Sequence, residues 1–501
     1  MKYIALTGAT GLLGSYLLKD LLCEGMSVAV FVRSGRKGTA RQRIETVLQR
    51  FEKQLGYYLP RPIIIESHLD DANLGLDEDS RRWVAQHVDT MLHNAASLEF
   101  IHNNKTNEPF KSNVEGTNHV LEFCRQQKIR RFHHVSTAYI CGLRNGTVLE
   151  TELNCGQEFG NAYEESKSKA ETAVRQSAFL DSVTIFRPAI IVGDSENGYT
   201  PTFHGFYTPL KVLYPLVDGT QVTPEGVAEL IRSLGMNGND EKNFVPVNWI
   251  SAVMKHIIVL PRWHDRCYHL TPVKRTRIDL MSDALVEALS IPKKKVIIKS
   301  PDFQEGSSSS SLIETFLSQM NVYRSYWRND PVFDRTNLEI AAPHLLCPTM
   351  DRRQMQILTQ YAVLSNFGWP HPKPAVIPFD VHAFLESRCH YNVPSPLFNN
   401  NVHEINFGLQ VTGSGGGVWT VRFTKEGQMN LNSGLQNESL PTARLNSILF
   451  RHFTEQTLDP SKLLPCDVAW ENTDDSWIDC YGNELLKALT SKPYQFITQS
   501  N

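Results

Sequence analysis

An apolar, strand-forming run, Lys2-Tyr-Ile-Ala-Leu-Thr7, passes without a break into glycines at 8, 11 and 14. That spacing asks for a tight turn out of a strand, a backbone that approaches a ligand closely, and a helix packed hard on the sheet. The helix starting near Leu12 then points free N–H groups and a partial positive charge at the turn, which suits a pyrophosphate. Thr7, Gly8, Thr10, Gly11, Leu12 and Gly14 are therefore the expected loop of a dinucleotide site. A chain that opens this way is committed to a parallel α/β sheet before the rest is read.

The following residues keep to that commitment. Strand-like runs at 3–7, 27–32, 63–66, 88–92, 132–136 and 183–186 alternate with amphipathic stretches at 12–24, 41–55, 80–87, 107–127 and 163–179. The alternation predicts an α/β fold, a doubly wound parallel sheet with helices on both faces. Short strands at 243–250 and 267–271 and a helix at 276–289 would form a smaller substrate-side subdomain at 190–300, completing a unit at 1–300. Gly306 and five serines, 307–311, mark a linker within 301–369, followed by helices at 312–323 and 351–365. Alternating residues at 402–423, a glycine-rich hairpin at 413–419 and a helix-like 443–456 predict a separate α+β domain at 370–501.

With 501 residues, more than one core is expected. A net charge of −3 gives no support to nucleic-acid binding. No run has the ~18 apolar residues of a membrane span, and no basic, apolar leader opens the chain, so a cytoplasmic location is expected. The nine cysteines form no Cys-x-x-Cys pair and no metal site is expected. His133 and His134 read as opposite faces of one strand.

Two clusters bear chemistry. After the second strand, Val32-Arg33-Ser34-Gly35-Arg36-Lys37 has three cations where an acidic residue would hold a ribose hydroxyl. This favours the 2′-phosphate of NADP(H), with Arg33 as its bidentate contact. Downstream, Tyr163 and Lys167 stand four apart on one helix face. A nearby ammonium is expected to lower the tyrosine pKa, for proton exchange with a substrate oxygen. Thr137, at the carboxyl end of the fifth strand, adds a second hydroxyl.

The ordered text Thr7-Gly-Ala-Thr-Gly-Leu-Leu-Gly14, Arg41-Gln-Arg43, Leu74-Gly-Leu76, His93-Asn-Ala-Ala-Ser97, Asn113-Val-Glu-Gly-Thr117, Val135-Ser-Thr-Ala138, Tyr163-Glu-Glu-Ser-Lys167 and Phe186-Arg-Pro188 resembles the extended short-chain dehydrogenases/reductases. Within them it is similar to the thioester reductase and fatty acyl-CoA reductase branch, over residues 1 to 275 or so. The resemblance implies a Rossmann sheet and a catalytic set of Thr137, Tyr163 and Lys167, with Asn113 in support. It also implies that Asn94, Ala95, Ala96, Arg43, Lys167 and the backbone after Pro188 contact the cofactor. The family's Gly-Asp-Leu is Ser67-His68-Leu69 here, leaving Leu69 to meet the adenine side through backbone, and its Pro-Val-Asp is Pro246-Val247-Asn248.

The implied reaction is NADPH-dependent reduction of an acyl thioester, carried by coenzyme A or a carrier-protein phosphopantetheine, to an aldehyde and potentially on to an alcohol. A sugar-nucleotide or hydroxysteroid dehydrogenase/epimerase using the same triad stays open, as does a non-catalytic NADP sensor. The 415–430 stretch loosely resembles a sterol-carrier-type domain, which implies lipid contact by the C-terminal domain.

Overall fold

The computed structural model describes residues 2–215, 223–291, 316–390, 404–458 and 467–490. The run at 306–311 and the start of the helix expected at 312–323 lie outside these residues. The opening elements are β1 (Tyr3–Thr7), α1 (Leu12–Cys23), β2 (Val28–Val32), α2 (Ala40–Leu55), β3 (Ile63–Glu66), α3 (Glu78–His87) and β4 (Val88–His93). There follow α4 (Gly116–Gln127), β5 (Arg131–Val135), β6 (Thr147–Val148), α5 (Ala162–Arg175), β7 (Ser182–Pro188) and β8 (Ile190–Val192).

Seven strands make the main sheet, in the order β11-β7-β5-β4-β1-β2-β3, where β11 is Cys267–Leu270. Every pairing in it is parallel. β1 and β2 are buried along their whole length because helices cover both faces. Leu17, Leu21, Leu48 and Ile257 pack on one face, and Val84, Val120, Phe123 and Val174 on the other. β1 lies between β2 and β4, so the chain leaves it in opposite directions and opens a crevice at the carboxyl ends of β1 and β4. The doubly wound sheet is as expected.

Between β8 and β11 lie α6 (Thr208–Leu213), α7 (Pro224–Ser233), β9 (Glu241–Lys242), β10 (Phe244–Pro246) and α8 (Val247–Val259), and α9 (Ile278–Leu289) follows. The strand expected at 243–250 ends at Pro246, where α8 starts. Alternation over eight residues hid a helical spacing that shows only further on: Ile250, Val253, Met254 and Ile257 are buried together. The helix expected from 107 starts with a π-helical turn at Lys111–Glu115, since Asn107 is left-handed with φ 57°. α6, α7, α9 and the helix Arg352–Leu364 share a second core of Leu210, Ile231, Leu285 and Leu358. Of the described residues of 301–369, Phe316, Met320 and Met350 belong to it, whereas Leu338 and Ala341 pack into the sheet core.

The C-terminal α+β domain has five strands in the spatial order Met429–Ser433, Gly417–Thr424, Glu404–Thr412, Thr442–Asn446, Ala469–Glu471. Glu404–Thr412 runs parallel to Thr442–Asn446 and the other pairs are antiparallel. Phe407, Leu409 and Val421 meet Leu385, Phe450 and Leu489 of the helices Val381–Arg388, Ser447–Thr454 and Asn483–Thr490. The helix expected at 443–456 is half strand: Asn446 ends Thr442–Asn446 and caps the helix by accepting from Leu449 N at 2.8 Å. Among the described residues no helix is long and apolar enough to cross a membrane.

Candidate active site

The glycine loop is built as its chemistry requires. Gly8 takes φ 72°, and a Cβ there would lie 2.8 Å from Ala95 N. A Cβ on Gly14 would lie 2.1 Å from Gly8 O, so α1 sits against the turn at a distance only glycine allows. Gly11 N donates to Gly8 O at 3.1 Å, closing the turn. Gly11 also precedes the first helical residue with no side-chain cap, leaving the N–H groups of α1 directed into the crevice. This backbone cradle fits a dinucleotide pyrophosphate.

Thr7 has a different role from the rest of its loop. It is fully buried, and its hydroxyl accepts from Asn94 N at 3.0 Å and Ala95 N at 3.1 Å. With two donors on its oxygen, its own proton goes to His93 Nδ1 at 2.9 Å. The opposite ring nitrogen, Nε2, then carries the proton and donates to Thr117 Oγ1 at 3.1 Å, and Thr117 donates to Asn113 O at 2.6 Å. Burial pushes the His93 pKa down to about 3, in keeping with a neutral ring. Thr7 thus ties β1 to β4 and to the π-helical turn.

Gly8, Thr10, Gly11, Leu12, Arg33, Asn94, Ala95 and Ala96 line a cavity of about 580 Å³. Thr137, Tyr163, Lys167 and Pro188 line it too, although they come from the turn after β5, from α5 and from β7. Asn113 stands behind it: its Oδ1 accepts from Ser97 N at 2.8 Å and its Nδ2 donates to Ser166 Oγ at 2.9 Å. That ties the β4 loop to α5 one residue from Lys167. Leu69 faces α4, where its carbonyl accepts from His119 Nδ1 at 2.9 Å.

The cation loop is a tight hairpin, with Gly35 and Gly38 exchanging backbone bonds at 3.1 and 3.0 Å. Arg43, on the first turn of α2, reaches back to donate to Arg33 O and, at 2.7 Å, to Thr10 Oγ1. Burial and the adjacent Arg33 charge lower its pKa. Arg33 and Arg43 together present positive charge beside the glycine loop.

At the catalytic edge, Asn161 caps α5 by accepting from Glu164 N at 2.9 Å, which sets Tyr163 and Lys167 one turn apart on the cavity side. Thr137 Oγ1 donates to Pro188 O at 3.4 Å, and its hydroxyl and the Tyr163 phenol line the same cavity. Lys167 Nζ donates to Val135 O at 2.7 Å. Burial lowers the Lys167 pKa to about 8, against the opposing charge of Glu171. The expected lowering of the Tyr163 pKa is reversed. Burial of the phenol outweighs the lowering influence of the neighbouring Thr137 hydroxyl and moves the pKa up, so Tyr163 is a protonated donor. Behind Lys167, the buried Arg187 grips Glu171 bidentately, Nη2 to Oε1 at 2.7 Å and Nε to Oε2 at 3.1 Å.

Past Tyr163 the cavity continues into a chamber walled by Phe206, Ile231, Phe244, Met281, Leu285 and Phe316. Lys242 also lines it, but its ammonium is used up by Tyr326 O at 2.8 Å, Arg328 O at 3.1 Å and Asp330 Oδ1 at 2.5 Å. Tyr139 donates to the other Asp330 oxygen at 2.6 Å. Phe100 packs at a tilt against Tyr163, with ring centroids 5.5 Å apart, and edge-on against Tyr323 and Tyr326. Sequence reasoning placed the substrate side at 190–300 but named none of these wall residues and missed the part supplied by 316–327. Its one local signal was the aromatic run Tyr323-Arg-Ser-Tyr-Trp327, and nothing nearby in the chain says what it faces. His133 and His134 do lie on opposite faces, beside His264 and His93 respectively. Among the described residues no His, Cys, Asp and Glu group could hold a metal ion.

Residues 6–254 match the NAD-binding family model described as male sterility protein. Aldehyde reductase lnbA of Aspergillus flavus is 24% identical over 303 residues, covering 56% of this chain and 28% of that protein. Fatty acyl-CoA reductase wat of Drosophila melanogaster is 26% identical over 251 residues, covering 44% of this chain and 48% of the other. The chain thus spans about a quarter to a half of the length of the curated relatives it matches. Among solved structures, the terminal R domain from the myxalamid PKS-NRPS biosynthetic pathway aligns with a TM-score of 0.57 at 23% identity, covering 75% of this chain and 93% of that one. That likeness is one of fold.

Proposed function

We propose that this chain, which belongs over residues 6–254 to the male sterility protein family of extended short-chain dehydrogenases/reductases, uses NADPH to reduce an acyl thioester to an aldehyde. The observation that carries this reading is one continuous cavity: a dinucleotide cradle at one end, Thr137, Tyr163 and Lys167 in the middle, and an apolar chamber beyond. The chamber suits the apolar acyl group of a coenzyme A or carrier-protein phosphopantetheine thioester, since the Lys242 charge within it is already paired.

A bound NADPH supplies the hydride. Arg33 and Arg43 would hold its 2′-phosphate by paired, charge-assisted bonds. The amides of the glycine loop and α1 would hold the pyrophosphate. Asn94, Ala95 and the backbone after Pro188 would flank the nicotinamide side, and Lys167 would hold the adjoining ribose. When the thioester carbonyl carbon accepts hydride, Tyr163 delivers a proton to its oxygen and Thr137 donates a hydrogen bond there. Both groups are fixed before the charge develops, which makes them effective. The C–S bond then breaks as the hydroxyl proton returns to Tyr163 and a proton passes to the departing sulfur, releasing thiol and aldehyde; after NADP+ is exchanged for a second NADPH, the aldehyde in the same cavity can accept a second hydride to give an alcohol. The buried phenol, with its raised pKa, enters this cycle as the acid that reduction needs.

The test is NADPH oxidation across acyl-CoA and acyl-carrier thioesters, with free thiol and aldehyde quantified together. Tyr163→Phe should lower kcat by roughly a hundred- to ten-thousandfold while NADPH binding is kept. A Tyr163→Phe variant with full activity would sink the mechanism. Cofactor turnover on a hydroxyl substrate without thiol release would favour the dehydrogenase/epimerase reading.

A further inference from the structure

The helix that carries Arg43 has a second face, and the C-terminal domain grips it. Arg41 Nη1 lies 3.0 Å from Asp380 Oδ1, and its Nη2 donates to Gly415 O at 2.9 Å. One turn on, the buried Glu45 accepts from Gly415 N at 3.2 Å. Thr46 Oγ1 accepts from Ala375 N at 3.0 Å, and Gln49 donates to Ser414 Oγ at 2.9 Å. Pro374 reaches the cation hairpin itself, since a Cβ on Gly38 would lie 3.3 Å from Pro374 Cβ.

The glycine hairpin is shaped for this grip. Gly415 takes φ 77°, and a Cβ there would lie 1.8 Å from Phe379 O. A side chain at 415 would force apart the hairpin and the 374–380 segment that together wrap α2.

Two side chains of one helical turn thus face different tasks. Arg43 braces Arg33 and Thr10 at the cofactor, and Arg41 is held from outside by Asp380 and Gly415. A guanidinium reads a phosphate only when its helix is held in register, because bidentate bonds tolerate little displacement. We infer that the C-terminal domain is a structural part of the 2′-phosphate site: its 374–380 segment and 413–417 hairpin fix the first turn of α2 and thereby set the preference for NADPH over NADH. Asp380, Gly415 and Arg41 are positioning residues, acting through Arg43 and Arg33. The inference rests on the proposal that Arg33 and Arg43 bind the 2′-phosphate.

Full-length Asp380→Asn and Gly415→Ala test it, with steady-state kinetics in NADPH and in NADH. Asp380→Asn removes the charge facing Arg41 but keeps the bond by which position 380 caps the helix Val381–Arg388, now accepted from Ala383 N at 3.1 Å. Each variant should raise the KM for NADPH roughly three- to tenfold, with kcat and the KM for NADH unchanged. If both leave the ratio of the two KM values as it was, or raise both alike, the C-terminal domain takes no part in cofactor choice. Arg33→Ala in the same series separates the underlying reading. Loss of NADPH preference there with none in the two domain variants refutes only the inference, whereas an intact preference in Arg33→Ala refutes the phosphate site. Gly415→Ala alone could fail through misfolding; Asp380→Asn keeps the question decidable.

Discussion

The two ends of the cavity are put together in opposite ways. At the dinucleotide end, each wall is a short stretch of chain following a strand: 8–12 after β1, 33 after β2, 94–96 after β4. At the chamber end, Phe206, Ile231, Phe244, Met281 and Phe316 come from five separate stretches that meet only in the finished fold. The proposed cofactor end is therefore set by backbone: glycine, turn and helix terminus. The chamber is set by side-chain volume, which changes one residue at a time without disturbing the sheet.

That contrast can be broken or sharpened by substitution. Gly14→Val should have the largest effect, since a Cβ at 14 meets backbone at 2.1 Å. We expect NADPH binding to be abolished in isothermal titration; measurable binding would show the cradle to be softer than its geometry. Next is Glu171→Gln behind Lys167, which leaves the buried Arg187 charge uncompensated. Denaturant unfolding should register a loss of about 3–5 kcal/mol, and a loss under 1 kcal/mol would contradict a pre-set catalytic edge. Ile231→Phe fills the chamber and should be milder and selective. It is expected to cost roughly tenfold in kcat/KM for long acyl thioesters and little for short ones, so equal losses for both would remove the chamber from substrate selection.

The smallest expected effect is with pH. The buried Lys167 is lowered to about 8, so it is an ammonium below that pH and neutral above it. Activity that needs its charge declines as pH rises through about 8, and a kcat/KM profile flat to pH 10 would exclude that need.

The same division governs what could be read from the chain. The glycine loop, Arg33, Tyr163 and Lys167 are legible because their geometry is local: a turn, a strand end and one helical period. Asn113 is legible only through resemblance, since its partners Ser97 and Ser166 lie in different elements. Periodicity failed where an element changes type within a few residues, at Pro246 and at Asn446. The upward shift of the Tyr163 pKa was out of reach because it depends on how completely the 316–327 segment and Phe100 enclose the phenol, and sequence spacing does not measure enclosure.

Asp330 gives the chamber wall a portable boundary. Its carboxylate receives Lys242 and Tyr139, and its carbonyl receives Arg275 at 2.6 Å, so three separate stretches are fastened at one residue. A segment ending before it, transplanted from another reductase, would bring new wall residues without their fastening. One that includes it would carry its own lock, with positions 242 and 275 inside the segment, and find Tyr139 waiting. The exchangeable cassette of this protein, for anyone wishing to change what it accepts, ends at 330 or beyond.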